Sequence, residues 1–205
     1  MYRVGHFLEK DRDKLIAFMQ AHPFAVLIGA NNNIPAATQV PLQVKIVGNE
    51  IKLIGHVMRK TKHHLAFSAN EHVLALFHGA HAYVSASVYE DPASASTWNY
   101  SSVQARGTVK LLDEAGTRKV VEDLTNQYEP HHSPSAFHQM SDEYISHHLK
   151  AIVGFEIMVT ELEGVFKLSQ NHPQGNRENI MEYLSQSDDV QAHEVAKQMR
   201  NSSSS

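Results

Sequence analysis

A cluster of basic residues follows an apolar run in the stretch IGHVMRKTKHH, which spans Ile54–His64. Arg59, Lys60 and Lys62 place three positive charges within four residues, and Thr61 can cap a helix that begins after it. A helix start offers unpaired amide donors, and nearby cationic side chains make it suited to a phosphate monoester. A charge-assisted hydrogen bond contributes roughly 1.5 to 3 kcal/mol and the helix dipole about 0.3 to 1 kcal/mol, so the side chains should dominate. A solvated charged turn is the alternative interpretation, because short charge runs usually lie on the surface.

Aromatic and polar side chains gather in a second stretch, HAYVSASVYEDPASASTWNY, which spans residues 81–100. Flat rings beside amides and hydroxyls can hold a planar heterocycle by stacking and hydrogen bonding. The residues that carry this interpretation are His81, Tyr83, Ser85, Tyr89, Trp98, Asn99 and Tyr100. Trp98 and Tyr100 could equally be core residues whose polar ends find ordinary partners, and the sequence leaves both interpretations open.

Histidines occur as neighbours at His63–His64, His131–His132 and His147–His148. Neighbouring side chains point about 100° apart on a helix and to opposite faces of a strand, so such a pair rarely supplies two ligands to one metal. The sequence has no HExxH motif and no cysteine. We therefore predict no metal site, while ligation of a haem by a single histidine stays open.

Motifs for other kinds of chemistry are missing from the sequence. It contains no G-x-S-x-G elbow for a nucleophilic serine and no GxGxxG or GxxxxGK[ST] loop for a phosphate. The C-terminal segment has the outline of a helix-turn-helix, but its second helix carries only Lys197 and Arg200 as cations. Asp188 and Asp189 lie in the turn, which disfavours binding in a major groove.

The overall composition limits the classes of partner. Lys plus Arg number 18 against 22 Asp plus Glu, so the formal net charge of −4 does not favour DNA as a partner. Without cysteine there is no disulfide framework, and no apolar stretch reaches membrane-spanning length. We predict a cytoplasmic protein with no membrane partner.

The hydrophobic pattern predicts a mainly β fold with peripheral helices, an antiparallel barrel rather than an alternating parallel sheet. Strand patterns occur in FAVLIGA, LQVKIVGN, EIKLIGH, HVLALF, HAYVSASVY and WNYSSVQARGTVKLL, and IVGFEIMVTELEGVFKL is interpreted as a pair of strands. Helical patterns occur in DKLIAFMQAH, after the basic cluster, in DEAGTRKVVEDLTNQYE, in SDEYISHHLK and twice after Asn176. The predicted domains are a barrel over residues 1–170, a helical appendage over 171–200 and a disordered tail over 201–205.

Several segments, in this order, resemble the PaiB-type family of FMN-binding negative transcriptional regulators over most of the chain. The segments are HPFAVLI, ATQVPL, GHVMR, FHGAHAYVSASVYED, TWNY, IVGFEI and FKLSQN. The resemblance implies an antiparallel split β-barrel of the flavin-reductase and pyridoxamine-oxidase kind, and a homodimer with FMN at the subunit interface. It also implies that basic and hydroxyl residues at a strand-to-helix junction hold the phosphate, which is where Arg59 and Lys60 fall.

The sequence departs from the family pattern at two places. Thr61-Lys62 stands where the family commonly has Asn-Pro, and Gln39 stands where it commonly has histidine. An added lysine would strengthen phosphate binding, whereas a changed turn would misplace the phosphate, and both outcomes are open at this point.

Three hypotheses for function follow. The first is an FMN-binding homodimer that acts as a negative transcriptional regulator through its ligand or redox state. Its cofactor-binding residues are predicted to be Arg59, Lys60, Thr61 and Lys62 at the phosphate, and His56, Ser85, Trp98, Asn99 and Tyr100 along the ring or ribityl chain. The second is an NAD(P)H-dependent flavin reductase or other flavin-dependent oxidoreductase, although no side chain stands out as its acid or base. The third is a DNA-binding repressor without a cofactor, which the acidic balance disfavours.

Overall fold

The computed structural model describes residues 4–91 and 93–202, which form eight strands and six α-helices. The strands are β1 (Leu8–Glu9), β2 (Phe24–Asn31), β3 (Ile34–Pro41), β4 (Gln43–Val47), β5 (Glu50–Met58), β6 (His72–Val84), β7 (Thr97–Leu111) and β8 (Ile152–Lys167). The helices are α1 (Arg12–Ala21), α2 (Lys62–Ala69), α3 (Glu114–Tyr128), α4 (Asp142–Leu149), α5 (Gln174–Ser185) and α6 (Val190–Ser202). The predicted tail falls partly on residues 203–205, which lie outside the described residues.

The strands join one sheet in the order β3-β2-β6-β7-β8-β5-β4, with β1 paired to β8. β2 pairs antiparallel with β3 and β6, and β5 pairs antiparallel with β4 and β8. Asn32 and Asn33 adopt positive φ in the β2–β3 turn, and Gly48 does so between β4 and β5. These residue types tolerate left-handed backbone, which suits them to the two turns. The predicted antiparallel sheet with peripheral helices is confirmed.

Side-chain alternation fixes which face of β5 enters the core. Ile51, Leu53 and Val57 are buried, while the intervening residues are at least partly exposed. Gly55 continues the buried row, and a Cβ there would lie 2.9 Å from the Phe155 ring. Glycine is therefore required at the start of the GHVMR segment for close packing of β5 on β8.

Two strand assignments from the sequence were wrong. HAYVSASVY was interpreted as strand, but β6 ends at Val84 and Ala86–Val88 form a short 3-10 helix. IVGFEIMVTELEGVFKL was interpreted as two strands, but it is the single strand β8. The polar residues near its middle are exposed positions of one strand, and Arg106 pairs with Glu161 at 3.3 Å. Gly164 lies inside the strand, and the position is glycine because a Cβ would lie 2.1 Å from the Leu15 side chain. The glycine thus marks a close approach rather than a turn.

Aspartate and serine side chains cap the starts of three helices. The Asp11 carboxylate accepts hydrogen bonds from the amides of Asp13 and Lys14 before α1. Asp113 and Ser141 cap α3 and α4 in the same way. Each such cap satisfies an amide that the helix itself leaves unpaired.

The chain divides into two compact units. We call the first the terminal unit, and it comprises Met1–Leu15, His78–Val103 and Glu163–Ser205. We call the second the central unit, and it comprises Ile16–Phe77 and Gln104–Leu162. The predicted boundary at residue 170, between a barrel and a helical appendage, stays a prediction.

Each unit has its own buried apolar side chains. In the central unit the largest fully buried ones are Phe77, Phe155, Met19, Leu27, Leu42, Leu53 and Ile157. In the terminal unit α5 and α6 pack on the end of β6, and the buried side chains include Ala80, Ala82, Val84, Leu168, Ile180, Leu184, Val195 and Met199. Among the described residues, no helix combines the length and the apolar character needed to cross a membrane.

Candidate functional site

The basic cluster lies in the central unit, where β5 ends and α2 begins. The Arg59 amide donates to the Ala151 carbonyl at 2.8 Å, which ties the end of β5 to the segment before β8. Lys60 then adopts a φ of 63°, a left-handed backbone conformation that is uncommon outside glycine and asparagine. This single residue turns the chain out of the sheet and into the helix. The side chains of the cluster are therefore positioned by a fixed backbone.

Thr61 is the N-cap of α2, as the sequence predicted. Its hydroxyl accepts from the His64 amide at 3.4 Å and donates to the Met58 carbonyl at 2.8 Å. The His64 ring also takes part, because its Nδ1 accepts from the Lys60 amide at 3.2 Å. The Thr61 hydroxyl proton is committed to the turn, so this residue shapes the helix start instead of offering a free donor.

The three cations of the cluster are not neutralised by neighbouring acids. Within the described part of the chain, no carboxylate lies within ion-pair distance of Arg59, Lys60 or Lys62. Lys60 and Lys62 are exposed, and Arg59 is half-buried. In contrast, Lys45 and Lys52 of the same unit bind Asp123 and Glu156 at 2.8 and 2.9 Å. The cluster is thus a concentration of uncompensated positive charge beside helix amides that lack intrahelical acceptors.

His56 lies near the end of β5, three residues before Arg59. Its ring is partly buried, and Nδ1 has no hydrogen-bond partner among the described residues. Burial lowers the pKa of His56, since the charged imidazolium would lose solvation. The neutral ring can accept or donate one hydrogen bond to a ligand.

The predicted aromatic residues lie in the terminal unit. The rings of His81 and Tyr83 lie 5.9 and 5.8 Å from that of Trp98, measured between centroids. Trp98 is 52% exposed and Tyr83 is 47% exposed. They form an exposed aromatic surface on β6 and β7, and a surface of this type can stack on a planar ring.

Asn99 and the other polar members of the second stretch occupy different surroundings. Asn99 is fully buried, and its amide exchanges hydrogen bonds with the Ser169 hydroxyl, 2.9 Å from Nδ2 to Oγ and 3.1 Å from Oγ to Oδ1. The Ser85 hydroxyl caps a short 3-10 helix by accepting from the Ser87 amide. Tyr100 is half-buried. Asn99 therefore supports β7 from inside the unit.

Sequence reasoning assigned no role to Lys167, although the FKLSQN segment was part of the family resemblance. Its ammonium donates to the Trp98 carbonyl at 2.8 Å and to the Thr97 hydroxyl. The TWNY and FKLSQN segments are therefore joined twice, by the partly buried Lys167 and by the buried Asn99–Ser169 pair.

The donors at the start of α2 fit a dianionic phosphate better than a metal ion. They comprise one guanidinium, two ammonium groups and helix amides, all of which donate hydrogen bonds and none of which coordinates a cation. In the part of the chain that the structure describes, no three metal-binding side chains come together. The predicted site residues therefore fall into a phosphate-type set in the central unit and an aromatic set in the terminal unit.

Comparison with known proteins agrees with this donor chemistry. The family model described as "Putative FMN-binding domain" matches residues 1–161. A relative from Bacillus subtilis, protease synthase and sporulation protein PAI 2, is 28% identical over 200 residues, which cover 97% of this chain and 96% of the relative. The resemblance to the PaiB-type family is confirmed by these two matches.

Solved structures share the fold at low sequence identity. The flavocytochrome Anf3 from Azotobacter vinelandii superposes with a TM-score of 0.62 at 16% identity, over 81% of this chain and 72% of that chain. The FAD and heme binding protein from Mycobacterium smegmatis gives a TM-score of 0.61 at 15% identity, over 84% and 78%. These matches confirm the split β-barrel, and the chain belongs to the family described as "Putative FMN-binding domain".

Proposed function

We propose that the protein binds FMN and that the start of α2 holds its phosphate. The observation that carries this proposal is the cluster of Arg59, Lys60 and Lys62 at a helix start, free of carboxylate partners among the described residues. A phosphate there would gain charge-assisted hydrogen bonds without first breaking an ion pair. The family match supports FMN as the molecule that brings the phosphate.

Thr61 and Lys62 have separate roles in this proposal. Thr61 holds the turn through Met58 and His64, so the departure from Asn-Pro preserves a capped helix. Lys62 is the first residue of α2 and adds a third cation near the amides of its first turn. The changed sequence therefore keeps the turn while adding charge.

The sequence-based candidates for the isoalloxazine ring and ribityl chain are His56 in the central unit and Ser85, Trp98 and Tyr100 in the terminal unit. The half-exposed indole of Trp98 offers a stacking surface, whereas Tyr100 is half-buried. Nδ1 of His56, which has no partner among the described residues, offers one hydrogen-bonding position. Asn99 contributes indirectly, because its buried amide fixes the strand that carries Trp98. Bound FMN would supply the redox chemistry, and these side chains would position it.

We also propose that the protein is a homodimer. Large apolar side chains are exposed in each unit, among them Met58 and Leu65 beside the basic cluster and Tyr83 and Trp98 on the aromatic surface. Burying such side chains against a second copy of the chain would remove apolar area from water. Light scattering on the eluting protein measures the mass and tests this point directly.

A regulatory role is the third part of the proposal. The resemblance to the PaiB-type family of negative transcriptional regulators supports this role, and the relative of 28% identity is named protease synthase and sporulation protein PAI 2. With a net charge of −4, the protein would act through its ligand or redox state more readily than by broad attraction to DNA. A mobility shift with specific operator DNA, compared between oxidised and reduced flavin, tests this role.

Titration of FMN with fluorescence quenching as the signal tests the cofactor assignment. Arg59→Ala with Lys60→Ala should weaken FMN binding by about 100-fold, since two charge-assisted bonds of about 1.5 kcal/mol each are lost. Lys110→Ala is the matched control, because Lys110 is an exposed lysine of the same unit. Unchanged affinity in the folded double variant contradicts the proposal.

The same samples address the enzyme alternative. An NAD(P)H-dependent flavin reductase would oxidise NADH steadily when FMN is present, whereas a binding protein would not turn over. The enzyme hypothesis stays a prediction until this assay is done.

A further inference from the structure

The terminal unit contains a polar cavity of about 390 Å³ that the flavin proposal does not use. Its wall is made by separate chain segments, and its lining residues are Val4, His6, Phe7, Tyr89, Ala95, Ser96, Thr97, Lys167, Ser169, Asn171 and His172. A volume of this size is within the range of small-molecule sites. The lining contains a cation, imidazoles and hydroxyls but no carboxylate.

Lys167 is the cation of this cavity, and its charge is only partly compensated. Two of its three ammonium donors go to the Thr97 hydroxyl and the Trp98 carbonyl, which leaves one for a ligand. The ammonium also lies 5.7 Å from the Phe7 ring centroid. Among the described residues, no carboxylate lies within ion-pair distance of it, and burial lowers the pKa of Lys167.

Tyr89 supplies an independent observation that points to a ligand. Its side chain is 6% exposed and lines the cavity, yet its hydroxyl has no hydrogen-bond partner among the described residues. A buried hydroxyl without a partner costs free energy, so native proteins rarely retain one without a function. The His172 ring stacks on Tyr89 with centroids 4.8 Å apart, which gives the cavity a flat aromatic wall.

We infer that this cavity binds a small organic anion, with the carboxylate or phosphate held by Lys167 and the Tyr89 hydroxyl and a planar body lying along the Tyr89–His172 wall. The backbone supports the arrangement, because Ser169 adopts a φ of 58° and is held there by Asn99. The Gln170 side chain closes the same turn by donating to the Phe166 carbonyl at 2.6 Å and accepting from the Leu168 amide at 2.7 Å. The FKLSQN segment thus presents Lys167 and Asn171 to the cavity from a rigid turn.

The cavity is lined by different residues from those proposed to hold the FMN phosphate. Its residues all belong to the terminal unit, whereas Arg59, Lys60 and Lys62 belong to the central unit. The inference therefore holds whether or not the flavin proposal is correct. According to this inference, the protein binds a second anion besides FMN, and that anion is an effector or a substrate.

Trp98 is the single tryptophan and its carbonyl contacts Lys167, so intrinsic fluorescence reports on the cavity. Phenyl phosphate, benzoate and inorganic phosphate are titrated into the full chain, with benzyl alcohol as the neutral comparison. Phenyl phosphate or benzoate should bind saturably with one site per chain, and benzyl alcohol should not. The tighter of the two identifies the phosphate or the carboxylate as the preferred group.

Tyr89→Phe removes only the unpartnered hydroxyl and should weaken binding about tenfold or more, the loss of one hydrogen bond to a charged group. Lys167→Gln should weaken it further, and Lys167→Arg should restore part of the affinity. Tyr83→Phe is the matched control, because Tyr83 is exposed and does not line the cavity. Absence of saturable binding, or equal binding by Tyr89→Phe and the wild type, overturns the inference.

Competition with FMN distinguishes this site from the flavin site. Phenyl phosphate should bind the Arg59→Ala, Lys60→Ala variant normally, and Tyr89→Phe should leave FMN affinity unchanged. If phenyl phosphate displaces FMN, or if Tyr89→Phe loses FMN, the cavity is part of the flavin site and the inference of a second anion is wrong. If the protein fails to bind FMN but binds phenyl phosphate, the inference of an anion site in the cavity still holds.

Discussion

The basic cluster at the start of α2 and the cavity around Lys167 both present positive charge to an anion, but they are built differently. The cluster takes its three cations from four consecutive positions, and they lie at or near the surface. The cavity takes its polar groups from residues 6, 89, 96–97 and 167–172, and its key hydroxyl is buried. Charge density characterises the first site, and enclosure characterises the second.

This difference teaches how each site depends on the fold. The α2 cluster needs one turn, a capping threonine and a helix, all local features. The cavity needs β7 and the end of β8 to be held together by Asn99, Ser169 and Lys167. Changes to polar residues should therefore affect stability strongly in the terminal unit and weakly at the α2 cluster.

The largest expected effect on stability separates a buried polar group from an exposed one. Asn99→Ala removes the partner of the buried Ser169 hydroxyl and should lower the free energy of unfolding by about 2 kcal/mol. Lys62→Ala should change it by no more than about 0.5 kcal/mol, because Lys62 is exposed. Urea unfolding followed by circular dichroism measures both.

A double-mutant cycle with Ser169→Ala then isolates the pair. The second substitution should cost little once Asn99 is absent, since the hydrogen bonds are already lost. If Asn99→Ala costs no more than Lys62→Ala, the contrast between the two sites fails.

A smaller effect is expected at the capped turn of α2. Thr61→Ala removes both hydrogen bonds of the hydroxyl and should lower the free energy of unfolding by about 1 kcal/mol. Thr61→Ser keeps the hydroxyl and should stay close to the wild type. Thermal unfolding compares the three proteins, and equal midpoints would show that the cap does not stabilise this helix.

Acid should weaken the central unit through His56. Because burial holds the pKa of His56 below its ordinary value of 6.5, the unfolded chain takes up a proton that the folded chain does not. The free energy of unfolding should therefore fall as pH drops from 6.5 toward the pKa of His56 in the folded protein. Above pH 6.5 the ring is neutral in both states, so His56 causes no loss of stability there.

His56→Gln should make this decline shallower, as measured by unfolding at pH 5 to 8. It should not abolish the decline, because burial also lowers the pKa of His63 and His172, helped by the positive charges of His64 and Lys167 respectively. An identical slope in His56→Gln would show that this ring does not contribute.

The smallest expected effect is the stability of Tyr89→Phe. The Tyr89 hydroxyl has no partner among the described residues, so its removal should change the free energy of unfolding by about 0.5 kcal/mol or less, or raise it. A loss near 1 kcal/mol, which is typical of a hydroxyl that donates within the protein, would mean that the hydroxyl serves the fold. Tyr83→Phe provides the exposed comparison in the same unfolding assay.

The sequence by itself determined the local features of this protein. Alternating apolar residues predicted β5 and β7, and Asn32, Asn33 and Gly48 are residue types that favour the turns in which they lie. The capped start of α2 was also predictable, because a cap, a turn and a charge run involve residues a few positions apart. The assignments of ligand-binding residues remain predictions.

Only the tertiary structure decided which distant residues meet. The segment that contains Glu161 and Gly164 was interpreted as a pair of strands, but both residues belong to the single strand β8, where they contact Arg106 and Leu15 respectively. Likewise, only the structure shows that Ser169, 70 positions away, exchanges hydrogen bonds with the Asn99 amide inside the unit. The cavity at Lys167 and Tyr89 has no local signal, because burial and pairing across the fold depend on contacts that sequence spacing does not encode.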